Sequence, residues 1–317
     1  MTATTALLGL LAQTSIHAGA GSQTGIIDLP IQREGHNGYP CVFGSAVKGA
    51  LRDKAEQQII KVLPADKKPK DADSYEKFQK SPVYDAIKSV YGSPPKQASD
   101  SAGAIIVTDA RLLLFPVRSL TSQFKWVTCP DALRRYKEDS KRLGLKVAFD
   151  IPEPNDESQA IVYGEQTSPI NSNGLFLEEY RFEAKTKTLS LLITALAQLM
   201  QRDDAEQALK NQLVIVSNDS FAHLVNHATP VNAHNVLNSL SKISENLWYE
   251  ETLPPETLLY IGLSANASRQ KDNTQSGQTI LKRVLELFKN PYLQLGGNET
   301  VGMGWCIVKQ RLQQEGA

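Results

Sequence analysis

Three segments carry residues whose types and spacing permit chemistry. The first is Gly25-Ile26-Ile27-Asp28-Leu29-Pro30-Ile31-Gln32-Arg33-Glu34, where Asp28 sits in a glycine-bordered loop. A carboxylate so placed can be aimed at a substrate. It can equally bond local backbone in a turn, and spacing alone leaves both readings open. The second is Gly44-Ser45-Ala46-Val47-Lys48-Gly49-Ala50-Leu51-Arg52. A helix starting here offers free N–H groups to a phosphate, with Lys48 and Arg52 adding charge one turn apart; the alternative is a solvated helix face. It is not a Walker A loop, because the order GK[ST] is absent. The third is Gly296-Gly297-Asn298-Glu299-Thr300-Val301-Gly302-Met303-Gly304. Its glycines allow backbone to approach a ligand, or simply make a turn.

Other chemistries are poorly served. His223 and His227 are four apart, a spacing that suits zinc, yet Leu-Val-Asn lies between them and no further ligand is obvious nearby. Cys41, Cys129 and Cys306 are dispersed and odd in number, which argues against a disulfide framework or zinc knuckle and for a reducing, cytoplasmic setting. The 317 residues include 34 basic and 34 acidic side chains. This balance disfavours indiscriminate nucleic-acid coating but allows a local basic groove. The apolar run Ala6–Ala12 lacks the positive flank of a signal peptide and reads as a core strand; no stretch reaches membrane-span length.

The elements that must position these residues read as follows. Thr2–Ile16 is a buried strand, and the glycine-rich stretch His17–Pro40 a long loop, of the kind that is usually functional or disordered. Ser45 caps a helix Ala46–Ile60, with Val47, Leu51 and Ala55 on one face and Lys48, Arg52 and Glu56 on another. Residues 62–101 form an insertion, partly disordered, with one short helical pattern at Val83–Tyr91. Ala104–Leu114 is a strand ended by Pro116, and Pro130 opens a helix to Leu143. Leu175–Phe182 reads as a strand, Leu189–Met200 as a helix and Gln212–Ser217 as a strand. Asp219 caps a helix through Asn226; residues 229–251 form a protruding hairpin. A strand Thr257–Leu263, a helix Gln278–Lys289 and a last strand Trp305–Leu312 complete the chain. Strands and helices interleave without strict βαβ spacing, so the expected class is α+β, a ferredoxin-type sandwich in a single domain spanning 1–317.

Taken in order, the segments resemble the RAMP superfamily of CRISPR-associated RNA-binding proteins, and within it the backbone subunits of type III-B effector (Cmr) complexes. The likeness rests on Ser15–Gly21, Ile27–Glu34, Gly44–Arg52, Ala102–Ala104 with Thr108–Ser119, Trp126–Pro130, Leu177–Tyr180, Trp248–Thr257 and Gly296–Gly304, nearly the whole chain. It implies an RRM-like palm, a finger insertion at 62–101 and a β-hairpin thumb at 229–251. Such subunits stack head to tail along guide RNA beside other Cmr subunits, and cleave complementary target RNA at regular intervals. By the same likeness Asp28 is the cleavage residue, used with a divalent metal, Mg²⁺ or Mn²⁺; His17, near it in sequence, is a helper or a guide contact, and Glu250 is a further catalytic candidate. Guide contacts fall to Ser45, Lys48, Gly49 and Arg52, to Gly297, Gly302 and Gly304, and in the thumb to His234 and Lys242. The thumb departs from related ones: Val231-Asn232-Ala233-His234-Asn235 has no arginine. RRM aromatic motifs are missing, so bases are not expected to stack on the sheet. A non-catalytic guide scaffold and a guide-precursor endoribonuclease are the rival readings.

Overall fold

The first strand shows why the fold closes as it does. In a computed structural model describing residues 4–94, 102–120, 122–164, 174–269 and 275–312, β1 (Thr4–Ala12) is buried on both faces. Ala6, Leu8, Leu10 and Ala12 enter one core and Leu7 and Leu11 the other. An alternation with both sides apolar reads as an unbroken hydrophobic run, and each buried leucine stabilises the fold by about 2 kcal/mol.

The described elements are β1, β2 (Cys41–Val42), α1 (Gly44–Val62), α2 (Ala72–Gln79), α3 (Asp85–Tyr91), β3 (Ile105–Val107), β4 (Ala110–Ser119), β5 (Ser122–Thr128), α4 (Pro130–Arg142), β6 (Gln159–Tyr163), β7 (Leu175–Leu177), β8 (Tyr180–Lys187), α5 (Ser190–Ala197), α6 (Ala205–Gln212), β9 (Leu213–Ile215), α7 (Asn218–His227), β10 (Val231–Leu237), β11 (Ser244–Glu251), β12 (Leu258–Ala265), α8 (Gly277–Glu286), β13 (Tyr292–Gln294) and β14 (Trp305–Leu312). One mixed sheet runs β13-β14-β1-β12-β4-β5-β9-β6-β8-β7, with β2 beside β4 and β3 beside β12. β5–β9 and β6–β8 are parallel. Helices α1, α3 and α8 cover one face; α4, α5 and α6 cover the other. The expected α+β class holds. β10 and β11 form a two-stranded sheet of their own, so the hairpin expected at 229–251 is present, its outer residues mostly exposed.

Several expectations need correction. The expected strand Ala104–Leu114 is broken between β3 and β4, because Asp109 leaves the sheet to accept the Gly44 N–H at 2.7 Å. Asp109 thereby does the capping assigned to Ser45: the cap position is Phe43, which makes no side-chain bond. Pro116 does not end β4, which runs to Ser119; β12 pairs with β4 only as far as Leu114, so the missing N–H interrupts no ladder there. Leu175–Phe182 is not one strand but the β7–β8 hairpin, turned at Glu178 with φ 48°. Helix α7 is capped by Ser217, whose side chain accepts the Ser220 N–H, rather than by Asp219. The insertion holds α2 and α3, with Phe78, Tyr84, Ile87 and Val90 in the core; residues 95–101 of it lie outside the described residues. Its anchor is Glu56, 5% exposed, which accepts from the hydroxyls of Tyr75 and Tyr84 and so is not on an outer face. All three cysteines are free and buried. Among the described residues no helix is long and apolar enough to cross a membrane.

Candidate functional site

The loop after β1 is ordered by charges buried under it. Glu251, 3% exposed, accepts from Ile31 N–H at 3.0 Å, Thr229 Oγ1 at 2.6 Å and Arg33 Nη2 at 2.5 Å. Arg33 also donates to the carbonyls of Gly38 and Val225 and to Asn226 Oδ1. One ion pair thus joins the loop, α7 and the hairpin base, and breaking a buried pair on one side costs about 3–5 kcal/mol. Glu34 is gripped by Arg135 of α4, with Arg111 of β4 at 3.9 Å. Burial alone would raise the Glu34 carboxyl, but the bonds and charge of Arg135, with Asn37 and Arg111, outweigh it and hold it below the usual value. A lowered carboxylate pKa stabilises the fold fully above the unfolded value and loses that contribution as pH falls through the folded one. The anchorage is therefore intact at neutral pH.

On this frame Asp28 comes to the hairpin base. Its Oδ2 accepts the Tyr249 N–H at 2.8 Å, and the flanking bonds Leu29 N–H to Tyr249 O (3.1 Å) and Glu251 N–H to Leu29 O (3.0 Å) lay the loop along β11. Oδ1 has no partner among the described residues, and the side chain is half-buried. Both open readings of Asp28 meet here: it bonds backbone, though of a distant strand, and still presents a free oxygen.

Behind Asp28 lies a buried polar cluster. Glu250, 3% exposed, accepts from Asn298 Nδ2 and stands 3.4 Å from His17 Nδ1 and 3.9 Å from His234 Nε2. His17 Nδ1 lies 2.8 Å from the Glu251 carbonyl oxygen. A carbonyl only accepts, so Nδ1 carries a proton. Nε2 faces Gly19, where a Cβ would press on it at 2.9 Å. The glycine-rich turn is seated on the same segment: Gly297 N–H bonds the His17 carbonyl and Gly304 N–H that of Ser15, both at 2.8 Å. At Gly296, φ 85°, a Cβ would stand 2.2 Å from the His17 carbonyl oxygen, so only glycine fits.

The expected site residues divide accordingly. Asp28, His17, Glu250, His234 and Gly297 come together at the hairpin base. The His234 ring stacks on Trp248, centroids 5.3 Å apart. Lys242 stands apart in the exposed hairpin turn, φ 60°, and Gly302 is exposed and left-handed. Ser45 and Gly49 are exposed on α1, with open space where a Gly49 Cβ would be. Lys48 has no bonded partner among the described residues; burial, with the nearby charges of Arg52 and Arg269, holds its ammonium below the usual value. An anion placed there would relieve that repulsion. Arg52 is partly committed, its Nη2 donating to the Tyr91 and Gly92 carbonyls at 2.8 and 3.1 Å. Sequence reasoning missed Arg269, in a polar loop with no distinguishing signal, and Arg33 and Glu251, whose roles exist only through distant partners. It also missed Asn298, although asparagine among glycines marks a left-handed position. His223 and His227 lie in a separate cleft, where His223 Nε2 is 2.8 Å from the Tyr180 hydroxyl.

Among the described residues no three His, Cys, Asp or Glu side chains group as a closed metal site requires. A lone carboxylate with a free oxygen does match the way Mg²⁺ binds through one or two carboxylates and substrate phosphates.

A large mixed sheet with helices on both faces, an acidic loop lodged at the base of a paired hairpin, and a glycine-rich turn behind it define an α+β class. The chain belongs to the RAMP superfamily, whose profile matches residues 10–307. It is 35% identical over 308 residues to the CRISPR system Cmr endoribonuclease Cmr4 of Pyrococcus furiosus, covering 95% of this chain and 94% of that protein. A crystal structure of oligomeric Cmr4 from Pyrococcus furiosus superposes with TM-score 0.69 at 30% identity, covering 98% and 99% of the two chains. A chain of the type III-B Cmr-beta complex bound to cognate target RNA matches with TM-score 0.63 at 20% identity over 96% of each chain, and speaks for the fold alone.

Proposed function

We propose that this chain is the repeated backbone subunit of a type III-B CRISPR effector complex, binding guide RNA and cutting the target RNA paired to it. The observation that carries the reading is Asp28, held by the Tyr249 N–H at the base of the hairpin with one oxygen free. The relatives' names supply RNA as the substrate class, the Cmr system and an oligomer of like chains; on this reading the partners are guide RNA, complementary target RNA, further copies of the chain stacked head to tail, and other Cmr subunits. In this reading the mixed sheet is the palm, residues 62–101 are the fingers and residues 229–251 the thumb. The Lys48, Arg52 and Arg269 cations receive guide phosphates.

The chemistry begins with the substrate, because RNA carries its own nucleophile, the 2′-OH. A thumb that displaces one nucleotide kinks the backbone and brings that hydroxyl in line with its phosphorus, and such alignment supplies much of the rate. Asp28, with one oxygen free, would orient the hydroxyl or hold a divalent cation. A divalent cation, Mg²⁺ or Mn²⁺, bound there would supply neutralisation of the charge that develops on the scissile phosphate. His17, in the same cluster as Glu250, is the candidate helper. Glu250 is too buried to reach RNA and acts by positioning.

The test is to incubate the purified, guide-loaded assembly with guide-complementary and unrelated RNA. Regularly spaced cuts in the complementary strand, abolished by chelator and restored by Mg²⁺ or Mn²⁺, are expected. Binding without cutting would favour a scaffold.

A further inference from the structure

The turn Gly296–Gly304 is placed against the cleavage site by one side chain that the chemistry above does not use. Asn298 has left-handed backbone, φ 59° and ψ 30°, a region asparagine enters more readily than most residues. That conformation brings its amide onto Glu250: Nδ2 donates to Oε1 and lies 3.6 Å from Met303 Sδ. A buried carboxylate needs donors, and the other neighbours of Glu250 serve it poorly. His17 Nδ1 stands 3.4 Å away with its proton committed to the Glu251 carbonyl, and His234 Nε2, at 3.9 Å, makes no hydrogen bond. Asn298 is thus the well-seated donor to Glu250 among the described residues.

Glu250 lies where its placement matters. It follows Tyr249, whose N–H holds Asp28, and its backbone bridges to Leu29, next to Asp28. The same turn grips His17 through the Gly297 N–H. Both sides of the site, the carboxylate loop and the histidine, are therefore referenced to this turn.

We propose that Asn298 is a positioning residue for RNA cleavage: its amide seats Glu250, and Glu250 fixes the strand edge that carries Asp28 and the ring of His17. The inference rests on the reading of Asp28 as the cleavage residue. The residue type supports it. Glycine would satisfy the left-handed backbone but give Glu250 no donor, and aspartate would keep the shape but face one carboxylate with another.

The experiment uses the assembled, guide-loaded complex and measures single-turnover cleavage at saturating target, with target affinity and melting temperature in parallel. Asn298→Gly keeps the backbone and removes the amide; Asn298→Asp replaces donor by acceptor. Loss of a hydrogen bond to a charged group predicts a fall in cleavage rate of about 10-fold for Asn298→Gly, and about 100-fold for Asn298→Asp. Target affinity should stay within about twofold, because the Asn298 amide is turned onto Glu250. Wild-type rates in both variants, or rate losses matched by losses of target binding or melting temperature, overturn the proposal. An Asp28→Ala arm separates the two levels. If that variant is inactive while both Asn298 variants cut normally, only the role of Asn298 fails. If Asp28→Ala itself cuts normally, the cleavage reading fails first.

Discussion

Replacing Asp28 by alanine should lower target cleavage by about three orders of magnitude, the scale on which single groups that stabilise developing charge act. Guide and target binding should be unchanged. The separation follows from the contacts. The Asp28 side chain makes one hydrogen bond among the described residues, to the Tyr249 N–H, while the loop is held by Arg33–Glu251 and Glu34–Arg135. Losing the Asp28 bond costs the fold about 1 kcal/mol, too little to release the loop. Asp28→Asn keeps an acceptor for Tyr249 and loses the charge, so it should cut no better than Asp28→Ala. Gel analysis of labelled target, alongside filter binding, reads both quantities. Cleavage within tenfold of wild type in either variant would remove Asp28 from the chemistry.

The second large effect concerns the hairpin. Its outer part exposes apolar side chains that serve no core of this chain, with Leu240 95% and Ile243 68% exposed. Its base does different work: the pairs Asn232–Glu250 and Ala233–Tyr249 frame the contact to Asp28. The informative change therefore keeps the base and removes the tip, joining Asn235 to Leu247, which face each other, through Asn-Gly. The shortened chain should fold, bind guide and retain the Asp28 contact. Its cleavage should nevertheless fall by at least about 100-fold or lose regular spacing, because a 2′-OH held out of line by about 1 Å forfeits that much rate. Sequencing of fragment ends decides it: unchanged cuts at unchanged intervals would place the kink elsewhere in the chain.

What could be read from sequence was what depends on local pattern. The runs that become β1 and β14 are apolar enough to announce themselves, and the amphipathic stretch of α8 shows its period. The hairpin was legible because a polar segment without helical period sits just before a strand. Short strands such as β6 and β9 were harder, since each is completed by a distant partner; β9 was found nearly in place, β6 not at all. Helix α2 was lost in lysine- and aspartate-rich sequence, where Phe78 is the only side chain of the helix that is buried. The break before β4 was illegible because its cause, Asp109 reaching Gly44, spans 65 residues. The site followed the same rule. Asp28 and the glycine-rich turn were visible as motifs, but the amide that holds Asp28 comes from Tyr249, and the burial of Glu250 depends on Asn298 and His17 together.

The central claim is that the attacking group is the RNA's own 2′-OH, aligned at the Asp28 site. It is tested most directly by a target carrying a single 2′-deoxynucleotide on the 5′ side of one cut position, with mass spectrometry of the fragments. The account predicts that only that cut disappears, the neighbouring ones continue, and the remaining fragments end in 2′,3′-cyclic phosphate and begin with 5′-OH. Undiminished cutting at the deoxy position, with 3′-OH and 5′-phosphate ends, would show water as the nucleophile and contradict it.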